Sequence, residues 1–225
     1  MKTGGSDPLA LDGRTRLILA AEKLFAKEGI ASASLRQIAT EAGLGNHTAV
    51  QYHFGSREGI VKAIVMYRNQ QMELEREKML AVAEARGTEK DIKTLIEIII
   101  LPQLSLVDVL GNHSYASFIC QYLLKYQSNR FGDFGVELSK NLATTLKLLR
   151  ERILYLPEHI AQRRLVTACF MFLNILSAYT YERRSNALES FENALDDTID
   201  QIVVAISMPL HANEHAKLKR SATAG

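Results

Sequence analysis

The chain has 225 residues, of which 47% are apolar, and its formal net charge is +2. A chain of this length holds one or two compact domains. So small a net charge argues against a protein that coats nucleic acid without regard to sequence. No apolar run reaches the roughly 18 residues of a membrane-spanning helix, so no span is expected. Cys120 and Cys169 stand apart in apolar segments, a pattern typical of buried, reduced thiols in a cytoplasmic protein.

Almost every segment between turn signals repeats its apolar residues every three or four positions, which predicts an all-α fold of about nine helices. Pro102 is expected to kink one helix, and Pro157 to begin another at a favourable first-turn position. The two ends of the chain are expected to be a flexible arm, 1–11, and a disordered tail, 209–225. The predicted helices cover residues 12–28, 34–42, 46–53, 57–85, 89–109, 113–127, 132–153, 157–184 and 187–207.

The most specific stretch is residues 34–60, with the sequence SLRQIATEAGLGNHTAVQYHFGSREGI. Ser34 is expected to cap a helix, because its hydroxyl can accept a hydrogen bond from a free N–H group of the first turn. Gly43 is expected to end that helix in the left-handed conformation. A short second helix then follows, with Ala49 and Val50 facing inward. Two helices joined in this way form a helix-turn-helix, which presents hydrogen-bonding side chains to the edges of DNA base pairs.

The polar and basic side chains on the outward faces of these helices are the candidate contacts with DNA. Gln51 is expected to pair with an adenine edge in the major groove, and Thr48 to touch a thymine methyl group. Arg57, at the start of the next helix, is expected to bind a backbone phosphate. The candidate DNA-binding residues are Arg36, Gln37, Asn46, His47, Thr48, Gln51, Tyr52, His53 and Arg57.

Residues 14–64 resemble the N-terminal domain of the TetR family of transcriptional repressors. The resemblance rests on three segments in the same order and spacing, RTRLILAAEKLFAKEGI, IATEAG and YHFGSREGIVKAI. It implies a dimer that binds a palindromic operator in double-stranded DNA and is released by a small organic effector. From Gly43 to Phe54 this chain is one residue longer than the commonest family pattern, so base-contact positions carry over only to within about one residue.

The eighth and ninth predicted helices, 157–184 and 187–207, have apolar residues on two sides. A helix that is apolar on two sides is buried on two sides. The pair therefore suits a four-helix interface with the same helices of a second copy, and we expect a homodimer through these two helices, with Leu195 in the interface. The alternative is that both helices belong to the core of a monomer.

Aromatic residues are concentrated on and around the predicted helix 113–127. Such a stripe is typical of a packed core, but together with the polar Gln121 and Asn174 it also suits a mostly apolar pocket for an amphiphilic organic ligand. We expect a cavity bounded by the fourth to eighth predicted helices. Its candidate ligand-binding residues are Phe118, Tyr122, Phe170 and Asn174.

No glycine-rich phosphate loop, nucleophile elbow or Cys-x-x-Cys motif is present in the sequence, so neither an enzymatic activity nor a cofactor or metal is expected. The expected organisation is a helix-turn-helix DNA-binding domain over 12–56 and a ligand-binding and dimerisation domain over 57–208. The expected function is a ligand-responsive repressor. Two alternatives stay open: an architectural DNA-binding protein without an effector, and a helical enzyme or adaptor that retains the N-terminal fold.

Overall fold

The computed structural model describes residues 11–44, 48–108, 111–178 and 189–210, and within these ranges the chain is all-helical, as predicted. The helices are α1 (Gly13–Glu28), α2 (Leu35–Glu41), α3 (Ala49–Phe54), α4 (Arg57–Gln71), α5 (Glu73–Arg86), α6 (Ile92–Ile100), α7 (Ser114–Lys125), α8 (Lys140–Arg152), α9 (Glu158–Ala178) and α10 (Phe191–Ser207). None of these described helices is both long enough and apolar enough to cross a membrane.

Two predicted helices differ from the structure. The helix predicted over 57–85 is interrupted at Met72, which ends α4 and precedes α5. The helix predicted from residue 132 begins only at Lys140, because residues 126–139 form a loop with its own hydrogen bonds. In that loop the Asp133 carboxylate accepts bonds from the Tyr126 and Ser128 hydroxyls and from the Gly135 N–H group. The predicted kink at Pro102 is a change to a 3-10 helix over Leu101–Ser105.

The N-terminal helices α1 to α3 and the later helices share one continuous apolar core. Helix α1 packs on α2, α4 and α7, so it lies between the helix-turn-helix and the rest of the molecule. Phe25 of α1 and Phe118 of α7 stack inside this core, with their ring centroids 6.2 Å apart. A movement of α7 relative to α1 would therefore disturb packing that the N-terminal helices share.

The last two described helices lie side by side, and α10 also packs on α6. Leu195, Ile199 and Ile202 of α10 are buried within the chain itself. The expectation that Leu195 lies in the interface with a second copy is therefore corrected, because this side chain packs in the core of its own chain.

Candidate nucleic-acid interface and internal cavity

Helix α2 begins and ends with the local structures that its sequence predicted. The Ser34 hydroxyl accepts a bond from the Gln37 N–H group, and the Gln37 side chain accepts one from the Ser34 N–H group, which together form a capping box. At the other end, Gly43 has φ +67°, and the N–H groups of Gly43 and Leu44 donate to the carbonyls of Thr40 and Ala39. This Schellman motif ends α2 and directs the chain towards α3.

Helix α3 buries one side and exposes the other. Val50 is buried and Phe54 packs against the core, whereas Thr48, Gln51, Tyr52 and His53 are exposed. Tyr52 is 84% exposed, which is unusual for a large aromatic side chain, and its ring meets that of His53 edge-on at 5.0 Å. Four of the predicted contacts thus share one exposed surface. The predicted contacts Asn46 and His47 lie outside the described residues.

Of the other three predicted contacts, two have side chains that make hydrogen bonds within the chain. Arg36 is exposed on α2. Gln37 is exposed as well, but its side-chain oxygen is bound to the Ser34 N–H group in the capping box. Arg57 is half-buried, and its Nη1 donates to the carbonyl oxygens of Ile30 at 2.7 Å and Ala33 at 2.5 Å. The structure therefore gives Arg57 a role that the sequence did not predict, tying the start of α4 to the turn between α1 and α2.

The junction between α3 and α4 depends on a close approach of the backbone. The Ser56 hydroxyl caps α4 by accepting a bond from the Gly59 N–H group. A Cβ atom at Gly59 would lie 2.0 Å from the Phe54 carbonyl oxygen, far closer than such atoms approach. Glycine at position 59 is what allows α3 to end so near the first turn of α4.

A buried ion pair joins α1, α4 and α7. Glu22, which is only 1% exposed, accepts two hydrogen bonds from the Arg68 guanidinium at 2.5 and 2.8 Å and a third from the Ser114 hydroxyl. This two-bond geometry between guanidinium and carboxylate is the strongest form of the pair. Each of the three helices contributes one group, so the pair holds their relative positions.

Gln121 of α7 makes a second connection to α1. Its side-chain oxygen accepts a bond from the Ile30 N–H group, and its Nε2 donates to the Phe25 carbonyl, both at 3.0 Å. Gln121 was expected to supply a polar group to a ligand pocket. It lies instead at the C-terminal end of α1, where it binds the N–H group of the same Ile30 whose carbonyl oxygen accepts a bond from Arg57.

An internal cavity of about 70 Å³, room for a few water molecules, lies where α4 meets α5 and is bounded further by α6 to α9. Of the four predicted ligand-binding residues, only Tyr122 lines it, and its hydroxyl donates to the Phe134 carbonyl at 2.5 Å. Burial raises the pKa of this phenol to about 12 and keeps it neutral. Asn69, Met72, Arg76, Gln103 and Tyr115 also line this cavity.

The remaining three predicted ligand-binding residues do not line this cavity. Phe118 faces α1 and is fully buried against Phe25 and Tyr115. Phe170 lies in a separate groove between α7 and α9. Asn174 is exposed on α9. Helical spacing placed them near α7 and α9 but did not distinguish the faces of two helices that are apolar on both sides.

Sequence reasoning missed the charged member of the cavity, Arg76. It stands in the run ELEREK, which has the composition of a solvated helix face. A usable signal was nevertheless present, because positions 72, 76, 80 and 83 fall on one face of a helix. The other three positions are apolar, and all four side chains are buried.

Neither thiol has the features of a reactive cysteine. Burial raises the pKa of Cys169, which lines the cavity, to about 12, and burial also raises the pKa of Cys120. Reactive cysteines have a lowered pKa, because the thiolate is the nucleophile. Within the described ranges, no group of three or more His, Cys, Asp or Glu side chains is placed to hold a metal ion.

Helices α9 and α10 leave several apolar side chains partly uncovered, although Asp200 and Gln201 are exposed beside Val204 on α10. On α10, Val204 is 56% exposed and Val203 is half-buried, and Met208 just beyond the helix is exposed. On α9, Met171 and Ile175 are half-buried. Both helices therefore carry apolar side chains that their own chain covers only in part.

Residues 17–64 match the family model described as "Bacterial regulatory proteins, tetR family". No curated protein matches the chain. Among solved structures, the chain is similar to NalD of Pseudomonas aeruginosa, the secondary repressor of the MexAB-OprM multidrug efflux pump. The identity is 18%, the match covers 86% of this chain and 95% of that one, and the TM-score is 0.46. It is also similar to PfmR, a TetR family transcriptional regulator from Thermus thermophilus, with 19% identity, coverage of 91% and 100%, and a TM-score of 0.43.

Proposed function

Through residues 17–64 the chain belongs to the TetR family of bacterial regulatory proteins, and we propose that it is a repressor that binds a palindromic operator as a homodimer and is released by a small organic effector. Members of this family are DNA-binding transcriptional regulators, so DNA is the partner on which the proposal is built. A repressor must be in the same compartment as the DNA that it binds, so the proposal includes a cytoplasmic location.

The observation that carries the proposal is the exposed side of α3. Gln51 stands there beside Thr48, Tyr52 and His53, while Val50 holds the helix against the core. These side chains supply hydrogen-bonding groups and an aromatic ring at the surface that a helix-turn-helix inserts into the major groove. Arg36 on α2 is exposed close by in the motif and suits a backbone phosphate, which positions the protein without reading sequence.

Dimerisation is supported by the apolar side chains of α9 and α10 that the chain leaves partly uncovered. A two-fold dimer brings the same surface of each copy together, so Met171, Ile175 and Val204 of one copy would meet the same region of the other. Two recognition helices on a palindrome must then stand about 34–36 Å apart, or a multiple of one helical turn. We propose that residues 12–56 bind DNA and that residues 57–208 bind the ligand and form the dimer.

The effector is proposed to bind in the cavity at the α4–α5 junction. Met72, the residue that interrupts the two helices, lines this cavity, and α4 leads from it to the junction with α3. An effector shifts the equilibrium only by its different affinity for the DNA-bound and DNA-free conformations. DNA must then weaken effector binding by the same factor, typically about 5- to 150-fold.

The proposal is tested by selecting bound DNA from random oligonucleotides with the full chain. A repressor of this kind should enrich one palindrome and bind it about 10³-fold or more tightly than unrelated DNA at the same salt concentration. Analytical ultracentrifugation should find two copies per selected site. Enrichment of no sequence, with affinity that follows only the salt concentration, would instead indicate an architectural DNA-binding protein.

A further inference from the structure

The cavity at the α4–α5 junction contains a charged group that the chain does not fully pair. Arg76 is only 2% exposed, and its guanidinium lines the cavity. Its Nη1 donates to the Asn69 carbonyl at 3.2 Å, and its Nη2 has a weak contact of 3.6 Å with the Met72 sulfur. A guanidinium has five N–H donors, and Nε has no acceptor among the described residues.

The one carboxylate near Arg76 is only a partial counter-charge. An oxygen of Glu73 lies 3.9 Å from Nη1, beyond hydrogen-bond distance. The other Glu73 oxygen accepts a bond from the Asn141 N–H group of α8, which holds this carboxylate in its place. A buried charge whose hydrogen bonding is incomplete is costly, so an acceptor at the unpaired Nε of Arg76 would be favourable.

The rest of the cavity suits a ligand that is apolar beyond one charged end. Ile99, Leu123 and Leu142 contribute apolar walls from α6, α7 and α8. Asn69 and Gln103 contribute polar groups to the lining, and the Gln103 side-chain oxygen is buried without a hydrogen-bond donor among the described residues. A cavity of about 70 Å³ is smaller than a six-carbon chain, so a ligand of that length enters only if the helices move apart, which is the conformational change expected of an effector.

We propose that this cavity binds a short aliphatic carboxylate, with its carboxylate on the Arg76 guanidinium and its chain between the apolar side chains of α6, α7 and α8. The inference rests on the proposed effector function and names the chemical class of the effector. Arginine binds a planar carboxylate through two parallel hydrogen bonds, a geometry that neither an alcohol nor an amide offers. Tyr122 and Tyr115, both neutral phenols, border the site without adding charge.

The test is calorimetric titration of the full chain with hexanoate and with hexanamide, its neutral counterpart of the same shape. Hexanoate should bind at least tenfold more tightly, because hydrogen bonds between charged partners are the stronger ones. Equal affinities, or no binding of hexanoate, would overturn the proposal, and so would binding of inorganic phosphate in place of hexanoate. This comparison uses the unmodified protein and does not depend on how a variant folds.

Two variants locate the binding. Arg76→Met should lose hexanoate affinity at least tenfold while melting at the same or a higher temperature, since an apolar replacement of an incompletely paired buried charge is often neutral or stabilising. Ile99→Phe fills the cavity and leaves Arg76 in place, and its affinity for hexanoate should also fall at least tenfold. The control is Arg86→Met, an exposed arginine of the same helix, which should bind hexanoate as the parent protein does. Retained binding in Arg76→Met would overturn the proposal.

Failure of this inference can be told apart from failure of the proposed function. Operator selection and affinity are measured with the unmodified chain and without hexanoate, so their outcome does not depend on whether Arg76 binds a carboxylate. A protein that enriches a palindrome but ignores hexanoate would keep its function as a repressor and lose only the assignment of a carboxylate effector.

Discussion

At the scale of single residues, hydrogen-bonding capacity alone does not identify a DNA contact. Gln37 and Gln51 have the same side chain and both are exposed, yet Gln37 is bound in the capping box of α2. Gln51 has no such role and stands on the exposed side of α3. The difference arises from position within a helix, because a residue three places after an N-cap serine is placed to return a hydrogen bond to it.

Gln51→Ala should weaken binding to the selected operator by about 1–3 kcal/mol and relax the preference at one base pair. The reason is that a glutamine can pair in bidentate fashion with an adenine edge, whereas alanine cannot. Affinity for a set of operators with single base changes measures both effects. Gln70→Ala, an exposed glutamine of α4, is the matched control and should change neither. An equal loss on every sequence would mean that Gln51 contacts the DNA backbone.

Substitutions of Arg57 and of Arg36 should have different effects, the first on the stability of the fold and the second on phosphate binding. Arg57→Ala leaves two carbonyls without their donor and should lower the free energy of unfolding by about 1–3 kcal/mol. Arg36→Ala, at an exposed position, should leave stability unchanged and reduce the salt dependence of DNA binding by about one unit. Urea unfolding and salt titrations of DNA binding measure the two effects. An unchanged midpoint of urea unfolding in Arg57→Ala would mean that Arg57 does not stabilise the fold.

At the scale of elements, the sequence predicted what local chemistry determines. The cap at Ser34, the end of α2 at Gly43 and the change at Pro102 each depend on a few neighbouring residues, and all three are present. The break at Met72 and the loop over 126–139 could not be predicted in this way. Met72 is buried against other helices, and the loop is held partly by Gln162 of α9, whose side chain binds the backbone of residues 132 and 133 from a distant part of the sequence.

Gly59→Ala should disrupt the junction of α3 and α4. The added Cβ would meet the Phe54 carbonyl oxygen, and forcing a group into a packed position costs about 1–3 kcal/mol or more. We expect a lower melting temperature and strongly weakened operator binding. Gly13→Ala, whose Cβ would meet only Leu44 at 3.9 Å, is the control and should melt at or above the temperature of the parent protein. Unchanged operator binding by Gly59→Ala would contradict this account of the junction.

At the scale of the whole molecule, the proposed contact between two copies depends on which surfaces of α9 and α10 the chain itself leaves uncovered. The sequence predicted that the last helices are apolar on two sides, but it could not tell which side packs within the chain. The structure separates the two: Leu195, Ile199 and Ile202 pack within the chain, and Val204 does not. A stable dimer would need an interface on the order of 1,600 Å² or more in total.

Val204→Glu should therefore produce monomers that bind the palindrome weakly. In a two-fold arrangement each copy carries the substitution, so the interface contains two introduced negative charges. Sedimentation equilibrium measures the dissociation constant of the dimer. Leu74→Glu, at a position of α5 that is similarly exposed, is the control and should remain dimeric. A dimer of undiminished affinity in Val204→Glu would move the interface to another surface.

The interruption at Met72 has a geometric consequence. Helix α4 has 15 residues, and at 1.5 Å per residue it is about 22 Å long. If α4 tilts as a rigid body about its end beside the cavity, its other end, at the Gly59 junction that carries α3, moves the most. A tilt of only about 5° would move that far end by about 2 Å, and opposite tilts in two copies would change the distance between their recognition helices by up to about 4 Å. Base-edge hydrogen bonds tolerate a few tenths of an ångström, so under the proposed function a small rotation beside the cavity would be enough to release DNA.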